Sequence, residues 1–107
     1  MAREKFQSLT EQMFYILLCL RQEFCGADIA AQIQTMTKSR VIVGPGTLYN
    51  VLDSFVQAEM IVETKVEGRR RSYLITRKGR EMLEAEYRRL LTLTKDYQDC
   101  IREEEGT

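Results

Sequence analysis

The 107-residue sequence contains no histidine and no tryptophan, and only one proline. Without an imidazole there is no histidine-ligated zinc site, and neither a Ser-His-Asp nor a Cys-His nucleophile can be assembled. Carboxylates and lysines are present, but no cluster combines a base, a nucleophile and an orienting group, so neither catalysis nor a metal or cofactor is expected. No apolar run approaches the roughly 18 residues that a membrane span needs. The opening MAREKFQSLTEQ lacks the apolar core of a secretory signal. No membrane partner is expected, and the expected location is cytoplasmic. The cysteines, Cys19, Cys25 and Cys100, are odd in number and have no paired spacing. They fit a reducing compartment and read as buried thiols acting as small hydrophobes.

What the chain does have is charge in an uneven pattern. Sixteen Lys and Arg balance sixteen Asp and Glu. Residues 1–60 nevertheless carry a net −1, residues 61–80 a net +5 and residues 81–107 a net −4. The neutral total conceals one basic segment, TKVEGRRRSYLITRKG, with Arg69, Arg70 and Arg71 in a row beside a Glu-Gly pair. Net charge argues against a nucleic-acid binder; its distribution argues for one.

The period of the apolar residues supplies the elements. SLTEQ predicts a helix start with Ser8 as cap and Glu11 three residues on. MFYILLCL, which follows, is apolar all round. A buried strand has the same signature, but the cap and the helix formers favour a helix that must be covered on more than one side. GADIAAQIQTMTK places Ala30, Ile33 and either Ala27 or Met36 on one helical face, with Gly26 as the preceding turn. After a Gly-Pro-Gly break, Pro45 suits the first turn of a third helix. There Leu48, Leu52 and Phe55 share a face, with Val51 beside them, and Thr47, Asn50, Ser54 and Gln57 lie opposite. The period then becomes two: IVETKV and RRSYLIT flank a turn at Gly68, with Tyr73 and Ile75 on one side of the second strand and Leu74 on the other. Thr76 can cap a last helix, along which Leu83, Tyr87, Leu90, Thr94, Tyr97 and Ile101 form a near-heptad seam about 27 Å long. A domain this small has little surface to bury such a seam, so a homodimer is expected.

This order predicts a mainly α fold with a two-stranded β wing. Residues 1–80 form a winged helix-turn-helix and residues 81–107 a C-terminal dimerisation helix. In that arrangement the third helix enters the major groove of double-stranded DNA and the wing lies over the adjacent backbone or minor groove. Arginines on the wing tip then face phosphate oxygens.

At GPGTLYNVLDSFVQAEMI and GRRRSYLITRKGREML the sequence resembles the PadR family of bacterial transcriptional regulators, over about Leu9 to Leu91. The resemblance rests on Pro45-Gly46-Thr47-Leu48-Tyr49, on Arg71-x-Tyr73-x-Ile75-Thr76 and on Gly79. Length matches the short subfamily with a single C-terminal helix. The resemblance implies a homodimeric cytoplasmic repressor, released by a small aromatic or drug-like compound. It also implies that the Tyr49 hydroxyl donates to a phosphate; the alternative is a tyrosine packed on the second helix. Two features depart from the family pattern. Cys25-Gly26-Ala27 replaces a His-Gly-Tyr-like turn, and the third helix has no Lys or Arg between Gly46 and Met60, while Asp53 and Glu59 are acidic.

Sequence readout therefore falls to Asn50, which can bond bidentately to adenine, and to Ser54, Gln57 or DNA shape. Lys38 and Arg40 are either phosphate contacts or solvated charges. Lys65, Arg69 and Arg70 are read as wing contacts to phosphate, and Arg71 as either that or an internal ion pair. Arg77, Lys78 and Arg80 oppose the dipole of the last helix, a liability that binding to a polyanion offsets. Phe14, Tyr15, Leu18, Tyr87 and Leu91 line either an effector space at the dimer centre or a closed dimer core. Because the third helix is uncharged, a second class stays open: a dimeric winged-helix protein-interaction module that binds no operator.

Overall fold

The structure, a computed structural model, describes residues 8–106; the MAREKFQ part of the opening segment lies outside them. Helix α1 (Glu11–Cys19), strand β1 (Phe24–Cys25), helices α2 (Gly26–Met36) and α3 (Pro45–Gln57), strands β2 (Ile61–Glu67) and β3 (Arg70–Ile75) and helix α4 (Arg77–Glu105) follow in that order. This is a winged helix-turn-helix with a long C-terminal helix.

Helix α1 starts later than SLTEQ suggests. Thr10, not Ser8, is the cap, and its Oγ1 accepts the Met13 N–H at 3.2 Å. The earlier start is pre-empted because Leu9 is needed elsewhere: its side chain is buried and its N–H donates to Glu86 Oε1 at 3.1 Å. The face of α2 also differs. Gly26, Ile29 and Ile33 are buried, Ala30 is half-buried, and Ala27 and Met36 are exposed. Gly26 is a packing residue as well as a turn, since a Cβ there would meet Leu52 Cδ1 and Tyr73 Cε1 at 3.3 Å each. In α3 the spacing holds, with Leu48, Leu52 and Phe55 buried and Val51 half-buried.

The wing is three-stranded, where the sequence pattern predicts two strands. The order is β1-β3-β2, all antiparallel, with Phe24 opposite Tyr73 and Cys25 opposite Ser72. Two residues are too few to show a period, yet they pair with the edge of β3 that the hairpin leaves open. Gly68 turns the hairpin at φ +63°, a left-handed conformation that glycine adopts without strain. A bulge between Glu63 and Lys65 shifts the register of β2. Tyr73 and Ile75 are buried, as the alternation predicts.

The three helices of the helix-turn-helix and the wing close on one core, centred on Ile16, Leu17, Leu20, Ile29, Leu52 and Phe55. Helix α4 leaves this core. Thr76 Oγ1 accepts the Gly79 N–H at 3.1 Å and donates to Glu59 O at 2.7 Å, which fixes the start of the helix to the end of α3. Met82 and Leu83 pack on the core, but Tyr87, Leu90, Leu91, Leu93 and Tyr97 are exposed. Twenty-nine residues extend about 43 Å, which accounts for the 63 Å long axis of the molecule. No helix among the described residues is long and apolar enough to cross a membrane. Cys19 and Cys25 are half-buried, and burial pushes the Cys19 thiol up to about 11, so it stays protonated and packs as a hydrophobe. Cys100 differs from the expectation: it is exposed, because it lies on the projecting part of α4.

One buried charge joins α4 to the start of α1. Glu86 is 4% exposed, bonded to the Arg89 guanidinium and to the Leu9 N–H. The Arg89 bonds, helped by the Leu9 N–H, hold its carboxyl below the usual 4.5 against the opposing effect of burial. A carboxyl depressed by folding binds fewer protons in the folded chain, so its contribution is complete above about 4.5 and is lost as pH falls through the folded value. We expect Glu86→Gln to lower the urea midpoint at pH 7, with the gap to wild type narrowing as pH falls below the usual 4.5 and through the lower folded value. A gap independent of pH would show that Glu86 acts by packing alone.

Candidate nucleic-acid interface

The exposed side of α3 faces the wing across a cleft of about 610 Å³. Helix α3 supplies Tyr49, Asp53 and Gln57, and the hairpin supplies Glu63, Arg69, Arg71 and Tyr73. This juxtaposition follows from local chemistry. Pro45 opens α3 at a position where its missing N–H costs nothing, and the leucine face then turns the polar stripe outward. Gly68 places Arg69 at the hairpin tip.

The predicted residues sort into distinct surroundings. Tyr49 is 46% exposed at the cleft, with its ring neither buried nor free of the protein. Thr47, Asn50 and Gln57 are exposed, and Ser54 is half-buried. Arg69 lines the cleft and has no ion-pair partner among the described residues. Arg70 reaches across to Asp28 of α2 at 3.0 Å, and Lys65 lies 3.4 Å from Glu67. Arg71 takes the internal-pair alternative: Nη1 donates to Glu63 Oε2 at 2.8 Å, and that bond holds its guanidinium above the ordinary value. Lys38 is exposed in the segment between α2 and α3. Arg40 lies outside the cleft, bonded to Tyr15 of α1.

Asp28 and Glu63 carry no signal in the sequence as site residues, yet together with Asp53 they set the charge around the wing. Burial raises the Tyr73 hydroxyl above its usual value, with Glu63 adding to this and Arg71 opposing it, so the floor of the cleft stays a neutral phenol. No spacing rule links Asp28 to Arg70, 42 residues apart. The Glu63–Arg71 pair had a signal: Glu63 stands opposite Tyr73 across the hairpin, and Arg71 is two residues from Tyr73 on the same face of β3.

The candidate effector residues divide. Phe14, Leu18 and Tyr87 line a groove of about 410 Å³ between α1 and α4. Phe14 and Tyr15, packed edge to face with centroids 5.8 Å apart, line a second of about 310 Å³ with Leu90. Leu91 is exposed and lines neither. On the seam, Leu83 and Ile101 are half-buried, and Tyr87, Leu90 and Tyr97 are exposed.

A transcriptional regulator from Clostridium thermocellum is similar in structure at 19% identity and a TM-score of 0.72, covering 83% of this chain and 90% of that one. A PadR family transcription regulator from hypervirulent Clostridium difficile is 18% identical at a TM-score of 0.66, covering 83% and 97%. The circadian clock associated protein Pex from Anabaena is 22% identical at 0.58, covering 85% of each chain. At these identities the likeness shows the fold alone. None of the curated proteins matches the sequence. The family assignment rests instead on the sequence model of the transcriptional regulator PadR-like family, which matches residues 16–85, well over half of the chain, from within α1 through the wing into α4. The chain belongs to the PadR-like family of transcriptional regulators.

Proposed function

We propose that this protein is a homodimeric, sequence-specific double-stranded-DNA-binding repressor of the cytoplasm, released by a small aromatic effector. The observation that carries the proposal is the cleft in which Tyr49 and Gln57 of α3 face Arg69 of the wing, with Thr47, Asn50 and Ser54 on the same helix outside it. With α3 in the major groove, Asn50 and Gln57 reach base edges, and Thr47 and Ser54 add hydroxyls to the same helix. Tyr49, Lys38, Lys65, Arg69 and Arg70 serve the backbone. The Arg70–Asp28 pair does not oppose this role: both side chains are more than half exposed, and pairs of that kind are worth about 0–1 kcal/mol, so a phosphate replaces the carboxylate at little cost. Residues 1–80 form the DNA-binding unit and residues 81–107 the dimerisation arm. The effector sits where the Phe14–Tyr15–Leu18 face of α1 meets Tyr87 and Leu91 of α4.

The test is a salt titration. Each phosphate contact releases counterions, so replacing both Arg69 and Arg70 by Ala is expected to weaken operator and random duplexes by similar factors. It is also expected to lower the slope of log affinity against log salt by about 2. An unchanged slope would remove the wing from the interface. The missing Lys and Arg on α3, with Asp53 at the cleft, favour a second reading, a winged-helix protein-interaction module. That module would have no operator preference at any salt concentration.

A further inference from the structure

We propose that Arg40 is a positioning residue that ties the start of α3 to α1 through Tyr15, so that the seating of the recognition helix follows the α1–α4 face. This rests on the reading of α3 as the DNA-reading element. Arg40 Nη2 donates to Tyr15 Oη at 3.1 Å, its guanidinium carbon lies 6.0 Å from the Tyr15 ring centroid, and Nη1 is 3.6 Å from Glu11 Oε2. The Tyr15 hydroxyl bond and ring direct this planar cation toward α1, although its side chain is 59% exposed and the exposed pair with Glu11 adds little.

The segment between α2 and α3 is built to need such a tie. Lys38 and Ser39 are both left-handed, at φ 53° and 63°, although neither is glycine. Two consecutive residues in that region persist only where their surroundings over-determine them, and such sites recur where a chain switches. Arg40 is the next residue. Two residues further on, Ile42 O accepts from Gln12 Nε2 at 3.3 Å, and Ile42 itself is 56% exposed. Gln12 and Tyr15 stand three apart on α1, on one face, and therefore hold the segment at two points. The segment ends in Gly44, whose carbonyl accepts the Leu48 N–H at 2.9 Å in the first turn of α3. A shift at Arg40 is thus passed by covalent chain into the turn that carries Tyr49 and Asn50.

The other end of the tie is on α4. Leu9, just before α1, is bonded to the buried Glu86, and the groove beside it is lined by Phe14, Tyr15 and Leu90. Tyr15 is therefore shared: one edge belongs to the α1–α4 groove and its hydroxyl to Arg40. A group that enters the groove or a repacking of α4 turns the ring and loosens the segment.

The experiment uses Arg40→Ala, Tyr15→Phe and the double variant, on the full chain. Affinity is measured over a range of salt for a random duplex and for a duplex selected by the wild type from a random pool. Amide hydrogen exchange across residues 40–48 is followed in the free protein. Each single variant is expected to lose about tenfold for the selected duplex, the scale of ordinary coupling between sites. Affinity for the random duplex and the salt slope should stay as in wild type, the double variant should be no worse than Arg40→Ala, and exchange should quicken in all three. Arg40→Ala weakening both duplexes alike, with a slope lower by about 1, would make Arg40 a phosphate contact and overturn the proposal. So would additive losses or unchanged exchange. If the wild type selects no duplex, the DNA-binding reading fails, while exchange still decides whether the tie holds the start of α3.

Discussion

Gly79→Ala is expected to cost the fold more than about 3 kcal/mol, a large share of the roughly 5–15 kcal/mol that a domain has. A Cβ at Gly79 would stand 2.1 Å from the Met60 carbonyl oxygen and 2.7 Å from Ile75 Cγ1. Neither obstacle is a free side-chain end. The Met60 carbonyl already accepts the Thr76 N–H at 2.9 Å, and Ile75 is 5% exposed at the end of β3. Relief therefore requires α4 to move off the α3–wing junction, which breaks the Thr76 cap and the docking of Met82 and Leu83. Overpacking of a core ordinarily costs about 1–3 kcal/mol, and a backbone obstacle places this site at or above the top of that range. Gly46→Ala is the control. It is also helical, but nothing lies within 4 Å of its Cβ position, so that change is expected to be neutral or mildly stabilising. Urea denaturation followed by circular dichroism checks both. A Gly79→Ala midpoint at or above wild type would mean that the start of α4 is held less tightly than its contacts indicate.

Leu90→Asp is expected to abolish the dimer. Five large apolar side chains of α4 stand exposed in a single chain, with Leu90 37% and Tyr97 67% accessible. Exposed apolar surface gathered on one face marks a binding site. The near-heptad order of Leu83, Tyr87, Leu90 and Tyr97 fits another helix of the same kind. A carboxylate buried in such a seam without a partner costs several kcal/mol, and each 1.4 kcal/mol is tenfold in dissociation constant. Analytical ultracentrifugation at tens of micromolar should therefore give a wild-type dimer and a variant monomer. The variant should keep the circular dichroism of the winged core, since Leu90 lies beyond Met82 and Leu83, which pack on that core. A wild-type monomer at that concentration would overturn the dimer, and with it the effector space between α1 and α4.

Much of this molecule is written in short-range pattern. The face of α3 through Leu48, Leu52 and Phe55, the Thr76 cap, the glycine turn at Gly68 and the burial of Tyr73 and Ile75 are each set by residues within a few positions of one another. Helical and strand periods and capping chemistry act over that range, so a single sequence carries them in full. The same holds for the basic segment between residues 61 and 80 and for the apolar seam of α4.

What escaped the pattern was decided by contacts between residues far apart in the chain. Strand β1 exists because β3 had an open edge beside Phe24, 49 positions earlier than its partner Tyr73. Ser8 does not start α1 because Leu9, next to it, is held in the core and against Glu86, 77 positions away. Among the cations, Arg40, Arg70 and Arg71 look alike in sequence, yet they meet Tyr15, Asp28 and Glu63, while Arg69 is left to the cleft. Their charge is a property of composition. The partner each one meets depends on which surfaces the packing of α1, α2 and the wing brings within hydrogen-bond reach, and that is fixed only once the core has closed.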